Sequence, residues 1–161
     1  MWEQISSIII SEFSDLPNLE EAIRIVVRLT VAALLGSLLG WEREQAGKAA
    51  GLRTHMLVAM GAALFVLLAQ QIGIGPADNS RIVQGIIAGI GFLGAGTILK
   101  SDAENQVKGL TTAAGIWLTA GIGIAAGMGH EATAFLSTLL ALTVLWLIPL
   151  LQHMLHYRQR K

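Results

Sequence analysis

The chain has 161 residues, of which 53% are hydrophobic and only 14% charged, and it carries no net charge. Ordinary soluble domains hold about 25% charged residues. This balance excludes disorder, an ordinary soluble enzyme and a nucleic-acid binder needing a basic face, and it leaves an integral membrane protein of one domain.

Glycine occurs 18 times and proline 3 times. In an apolar chain that excess of glycine points to helices packed closely in lipid. Cysteine is absent. There is therefore no disulfide framework, no thiolate zinc site and no cysteine nucleophile.

The chain opens MWEQISSIII, with Glu3 but no Lys or Arg ahead of the apolar run. It lacks the basic start and cleavage pattern of a signal peptide. Trp2, Ile5, Ile9 and Phe13 fall near helical spacing, so residues 1–17 read as a segment lying at the membrane surface.

Crossing a bilayer core of about 30 Å as helix takes roughly 20 apolar residues. Five stretches qualify: Ala22–Trp41, His55–Ile74, Ile82–Leu99, Leu110–Met128 and Ala132–Gln152. None alternates as a barrel strand would. Backbone in lipid must pair within its own segment, so the expected fold is all-α, a polytopic bundle of about five transmembrane helices.

Asn18 stands where the first helix would be capped, with Glu21 three residues on, the spacing of a capping box. Glu20, Arg24 and Arg28 follow at intervals of four and form a predicted ladder on one face. Arg28 lies inside the apolar stretch. It either snorkels to the nearer surface or faces a partner helix.

Basic residues set the orientation. Arg43, Lys48, Arg53, Lys100, Lys108, Arg158, Arg160 and Lys161 fall on one side, and only Arg24, Arg28 and Arg81 on the other. The first side belongs in the cytoplasm, which puts the N-terminus outside and the C-terminus inside. Gly129–Glu131 is a very short connection, so the last two helices should be antiparallel neighbours. Residues 153–161 read as a basic cytoplasmic tail. Its His153 and His156 lack a third ligand nearby in sequence, so no metal site is predicted.

Small residues recur every four positions: Ala32, Gly36 and Gly40; Gly85 and Gly89; Gly115, Thr119, Gly123 and Gly127. Such stripes let helices approach closely, within the bundle or against a second subunit. The run Gly85–Gly96 adds Gly91 and Gly94. It has neither the soluble strand nor the Lys-Ser/Thr of a phosphate loop. Tight packing is the expected role of these glycines, with a bent helix beside a cavity as the alternative. Trp117, at mid-span, is expected to pack as well.

Polar side chains cluster at helix ends. Glu42, Arg43, Arg53, Thr54, Lys108, Thr111 and Thr112 are predicted to form a cytoplasmic network, and Asp78, Arg81 and Gln84 to hold the opposite end. Asp78 sits where a helix cap would sit. Gln84 lies in an apolar run and should find a partner inside the bundle. No pair of carboxylates lies at mid-depth, which weakens a proton or divalent-cation path through one subunit.

These segments resemble the MgtC/SapB family. The residues that carry the likeness are Leu39-Gly-Trp-Glu-Arg-Glu44, Ala50-Gly-Leu-Arg-Thr-His-Met-Leu-Val58, Ser80-Arg-Ile82, Gly89-Ile-Gly-Phe-Leu-Gly-Ala-Gly96 and Val107-Lys-Gly-Leu-Thr-Thr-Ala-Ala114, with Trp117. The resemblance covers residues 28–129. It implies a bacterial inner-membrane protein linked to growth in low magnesium and, in pathogens, to survival inside macrophages. Neither a Walker A nor an Asp-Lys-Thr-Gly motif is present, so the chain is not itself a transport ATPase.

What the resemblance implies instead is a non-enzymatic regulator without cofactor. It would sit among membrane lipids and bind other inner-membrane proteins, including the proton-translocating ATP synthase. A homo-oligomer is a further expectation, and nucleic acid is not a partner. The alternative is a transporter or channel for magnesium or another small solute. A third reading is an assembly factor in which only the glycine stripes matter. Long family members carry a soluble C-terminal domain, so this chain reads as a short form. The family often has Asp-Pro before the Arg-Ile of the third helix. Here Asp78 is followed by Asn79 and Ser80.

Overall fold

A computed structural model describes residues 1–12, 14, 18–73, 75–101 and 106–159 of the chain. The elements are α1 (Trp2–Glu12), α2 (Leu19–Gln45), α3 (Leu52–Gln71), α4 (Pro76–Gly96), β1 (Leu99–Ser101), β2 (Gln106–Lys108), α5 (Leu110–Gly127) and α6 (Glu131–Gln159). The all-α bundle expected from the sequence is what the chain forms, with one small hairpin added.

Helix α1 buries none of its residues. The hydroxyls of Ser6, Ser7 and Ser11 turn back to the carbonyls of Glu3, Gln4 and Ile8. Its apolar residues Trp2, Ile5 and Ile9 stay exposed. Phe13, expected on the same face, lies outside the described residues.

The cap predicted for α2 is present: Asn18 Oδ1 accepts from the Glu21 amide at 2.8 Å. With 27 residues, α2 is about 40 Å long at 1.5 Å per residue. Its inward stripe is Ala32, Leu35, Gly36, Leu39, Gly40 and Arg43, the three-and-four spacing of a helix face. A Cβ on Gly36 would stand 2.7 Å from the His55 carbonyl oxygen, and one on Gly40 2.7 Å from Leu52 Cα. Rising along α2 thus means descending along α3, so the two helices are antiparallel at close range.

Helix α5 meets the other side of α3. Gly115 lies opposite His55, Gly123 opposite Ala59 and Gly127 opposite Ala63. The numbers climb together, so α3 and α5 run in the same direction. The chain between them must travel back, and α4 is that return. Gly94, near its end, faces Ala113 at the start of α5.

The core between these helices is built largely of small side chains. Ala32, Ala59, Ala63, Ala126 and Ala134 surround Leu35, Leu39 and Ile122, and a second cluster joins Ala62, Val66, Ala120 and Ile124. Large apolar groups are left outside instead: Leu57, Phe65, Phe92, Phe135 and Trp146 are all more than half exposed. Water would penalise such a surface, whereas lipid tails are as apolar as the side chains. Helices α2, α3, α5 and the Glu131–Leu151 part of α6 are long and apolar enough to cross a membrane. With 21 residues α4 is also long, but Arg81, Gln84 and its glycines dilute its hydropathy.

The third predicted helix shifts toward the N-terminus. It starts at Pro76 rather than Ile82, with Gly75 as its cap. Asp78 is therefore not the cap expected from the sequence. It lies in the first turn, where a carboxylate still favours the positive helix end. The helix stops at Gly96 rather than Leu99, and Thr97 Oγ1 bonds the Gly94 carbonyl at 2.8 Å. Leu99–Ser101 then pairs antiparallel with Gln106–Lys108, Leu99 opposite Lys108.

Gly109 joins this hairpin to α5 with φ of 97°, and a Cβ there would collide with the Thr97 carbonyl oxygen. Only glycine takes that backbone without strain. Helix α6 runs through Gln159, past the predicted end at Gln152. The tail side chains His153 and His156 through Lys161 lie outside what is described.

Candidate functional site

The last two turns of α2 carry the least expected chemistry. Glu42 and Arg43 are 9% and 4% exposed, so both charges of an adjacent pair are buried. The guanidinium donates through Nε and Nη2 to the two carboxylate oxygens. A forked pair of this kind satisfies both groups and leaves no net charge. Burying it is still costly, and it holds only while both partners are present.

One residue on, Glu44 reaches across the turn. Its Oε2 accepts the Leu52 amide at 2.8 Å. Gly51 is the N-cap of α3 and has no side chain to offer, so a carboxylate from α2 does the capping. Glu44→Ala is expected to lower stability by about 1 kcal/mol, the usual worth of an N-cap, read from the unfolding midpoint in detergent.

His55 sits one turn into α3 and is fully buried. Its Nδ1 lies 3.0 Å from the Gly51 carbonyl oxygen. A carbonyl only accepts, so Nδ1 carries the proton and Nε2 of the neutral ring is a lone pair. That Nε2 is buried and has no partner among the described residues.

Arg43, His55 and Thr111 line a chamber of about 430 Å³ together with Gly115, Ser137 and apolar residues of α2, α5 and α6. Arg43 and Thr111 also line a second space of about 770 Å³, which reaches Glu42, Lys48 and Pro149. Of the predicted network, the fold brings Glu42, Arg43 and Thr111 together. Thr112 is buried, whereas Arg53, Thr54 and Lys108 lie on exposed faces.

The opposite end differs from expectation. Asp78 and Arg81 approach to 3.8 Å, but their side chains are 69% and 83% exposed. Such a surface pair contributes about 0–1 kcal/mol. Gln84 is exposed too. The face of α4 turned toward its neighbours is formed by Val83, Ile86 and Ile90 instead, so Gln84 finds no place inside the bundle.

Arg28 ties this end. It leaves the Glu20–Arg24 ladder, whose own bond is 2.8 Å. Its Nη1 donates to Gln70 Oε1 at 2.8 Å and to the Gly127 carbonyl at 2.9 Å. Its Nε lies 3.9 Å from Glu131 Oε1. With 13% of its side chain exposed, Arg28 faces partner helices rather than snorkelling, and it links α2, α3, α5 and α6.

Sequence reading missed Gln70, Glu131 and the burial of His55. The stripe Gly36–Gly40 was the available signal for His55, because a glycine face must receive something close. The glycines divide. Gly36, Gly40, Gly123 and Gly127 meet α3, and Gly94 touches Ala113. Gly85, Gly89, Gly91 and Gly96 face open space, so the packing expected of them has no counterpart among the described residues. Gly85 and Gly89 line an apolar groove of about 630 Å³ between α3 and α4. Trp117 is 52% exposed. Ile116, Thr119 and Ala120 take the inward face of α5, and Trp117 falls outside it.

Thr119 and Thr138 are buried but bond the carbonyls of Gly115 and Ala134 in their own helices, at 2.8 and 2.9 Å. Among the described residues no three His, Cys, Asp or Glu side chains gather as a metal site would require.

Residues 29–154 match the model of the MgtC family. The chain is 43% identical to protein SrpB of Synechococcus elongatus over 146 residues, 82% of this chain and 79% of SrpB. It is 39% identical to the putative magnesium transporter YhiD of Escherichia coli K12, over 74% of this chain and 58% of YhiD. It is 44% identical to protein MgtC of Salmonella typhimurium LT2, over 73% of this chain and 49% of MgtC. The chain thus spans only about half the length of the last two. No solved structure matches it.

Proposed function

Because the chain belongs to the MgtC family, we propose that it is an inner-membrane protein of magnesium homeostasis that catalyses no reaction and regulates other membrane proteins by binding them. Five helices would span, with α4 as the fifth, since a return between the co-directional α3 and α5 must regain the full height of the bundle. The excess of Lys and Arg puts the Glu42–Arg43 end in the cytoplasm and the Arg28 end outside.

The observation that supports regulation over transport is how the interior uses its polar groups. Glu42 is spent on Arg43, and Thr119 and Thr138 on their own helices. Glu42 is the only buried carboxylate among the described residues. Ion paths usually rely on intramembrane acids free to meet the ion, whereas Glu42, though it borders a cavity, is already paired. The partner surface is sought in what the fold leaves open: Arg81, the exposed loop residues, and the α3–α4 groove, which suits a partner helix or a second copy. The ATP synthase is the first partner to test.

Transport is the second reading, favoured by the 39% identity to a putative magnesium transporter. Magnesium flux into liposomes holding only this protein separates the two. Regulation predicts no flux from folded protein, and flux would establish transport. Arg81→Ala should leave the fold intact, because Arg81 supports nothing inside it, and should abolish growth support in low magnesium. Wild-type growth of that variant would remove Arg81 from the partner surface.

A further inference from the structure

We propose that the chamber between α5 and α6 binds an uncharged, hydroxyl-bearing amphiphile from the bilayer, whose O–H is accepted by His55 Nε2. The first ground is the orphaned acceptor. His55 is 0% exposed, lines the chamber, and has no partner for Nε2 among the described residues. A buried polar atom without a hydrogen bond calls for an explanation, because leaving one unmade is costly. With the proton held at Nδ1 by the Gly51 carbonyl, Nε2 can accept and cannot donate. The group that completes it must therefore be an O–H or N–H.

The walls select the rest of the ligand. Leu39, Leu118, Leu140 and Val144 make the chamber apolar, and its polar additions are the hydroxyls of Thr111 and Ser137 with Arg43. Its volume of about 430 Å³ lies within the usual range of small-molecule sites, about 300–1,000 Å³. The Arg43 charge is already matched by Glu42, so nothing here draws a phosphate or carboxylate in preference to a neutral head. Leu118, Leu140 and Val144 are 36%, 60% and 54% exposed. The mouth thus opens on the apolar outer surface, and entry is from the membrane. Gly115 packs beside the ring, where a Cβ would stand 3.5 Å from Nε2.

The test uses the full chain with ¹⁵N-labelled histidine in phosphatidylcholine nanodiscs. The probe is 1-dodecanol, with its methyl ether as the partner that has the same tail and no donor. His55→Phe assigns the ring-nitrogen signal. Dodecanol should move the unprotonated His55 nitrogen toward the hydrogen-bonded position and saturate. It should bind roughly three- to tenfold tighter than the ether, the worth of one net hydrogen bond. Leu140→Trp, on an exposed part of the mouth, should weaken the alcohol without unfolding the chain. Gly115→Leu should abolish its binding.

Dioctanoylglycerol and a decyl quinol then compete for the site, and the one that displaces dodecanol names the source as a lipid or a quinol. Equal shifts with alcohol and ether, no shift with either, or displacement by neither competitor would overturn the assignment.

Discussion

Arg43→Leu is expected to destabilise the protein by about 3–5 kcal/mol, the usual cost of stranding one charge of a buried pair. The residue is 4% exposed, and both its contacts described above go to Glu42. Without the guanidinium, the buried Glu42 carboxylate loses the partner that both its oxygens contact. The double variant Glu42→Leu, Arg43→Leu removes both charges. It should recover most of the loss, because well-packed apolar residues often replace a buried pair at little cost. Unfolding of each variant in a detergent titration decides the matter. If the single and double variants were equally unstable, Arg43 would act through packing and not through its pairing with Glu42. Arg43 also lines both chambers, and Glu42 the second. Growth in low magnesium by the stable double variant would show that its charges serve folding and not function.

Helices α2, α3, α5 and α6 were legible because each has the apolar length to cross a membrane, and length is a property of the linear chain. The cap at Asn18 was legible for the same local reason. What escaped depends on which faces meet. Arg28 looked like the next rung of a ladder with Glu20 and Arg24, since i to i+4 neighbours are visible in sequence. Its actual acceptors, Gln70 and the Gly127 carbonyl, are 42 and 99 positions away. His55 stood at a predicted helix end among polar neighbours, and nothing local distinguished it from the exposed Arg53 and Thr54. Gln84 and Trp117 went astray for one shared reason. Hydropathy places a residue along a helix, but not around it. In lipid both faces of a helix are apolar, so the usual contrast between core and surface is lost. The end of α4 was blurred by its glycines, which are as common in packed membrane helices as at helix ends.

That same ambiguity of glycine gives the sharpest contrast between positions. A Cβ on Gly123 would collide with the Ala59 carbonyl oxygen, whereas one on Gly89 would meet nothing within 4 Å. Both are glycines in the middle of a helix, at the same four-residue spacing. Gly123→Ala is expected to cost about 1–3 kcal/mol, because a backbone atom cannot turn aside and α5 must move off α3. Gly89→Ala should be neutral or slightly stabilising, as alanine favours helix over glycine by up to about 1 kcal/mol. The measurement is the unfolding midpoint of each variant in the same detergent. The larger substitution Gly89→Leu separates folding from function. It fills the α3–α4 groove without touching the core, so the protein should fold and reach the membrane. If that groove receives a helix from a partner or a second copy, growth in low magnesium should fail while stability holds. Growth unchanged by Gly89→Leu would move the interaction surface to the loops and Arg81, and would leave the α4 glycines facing lipid alone.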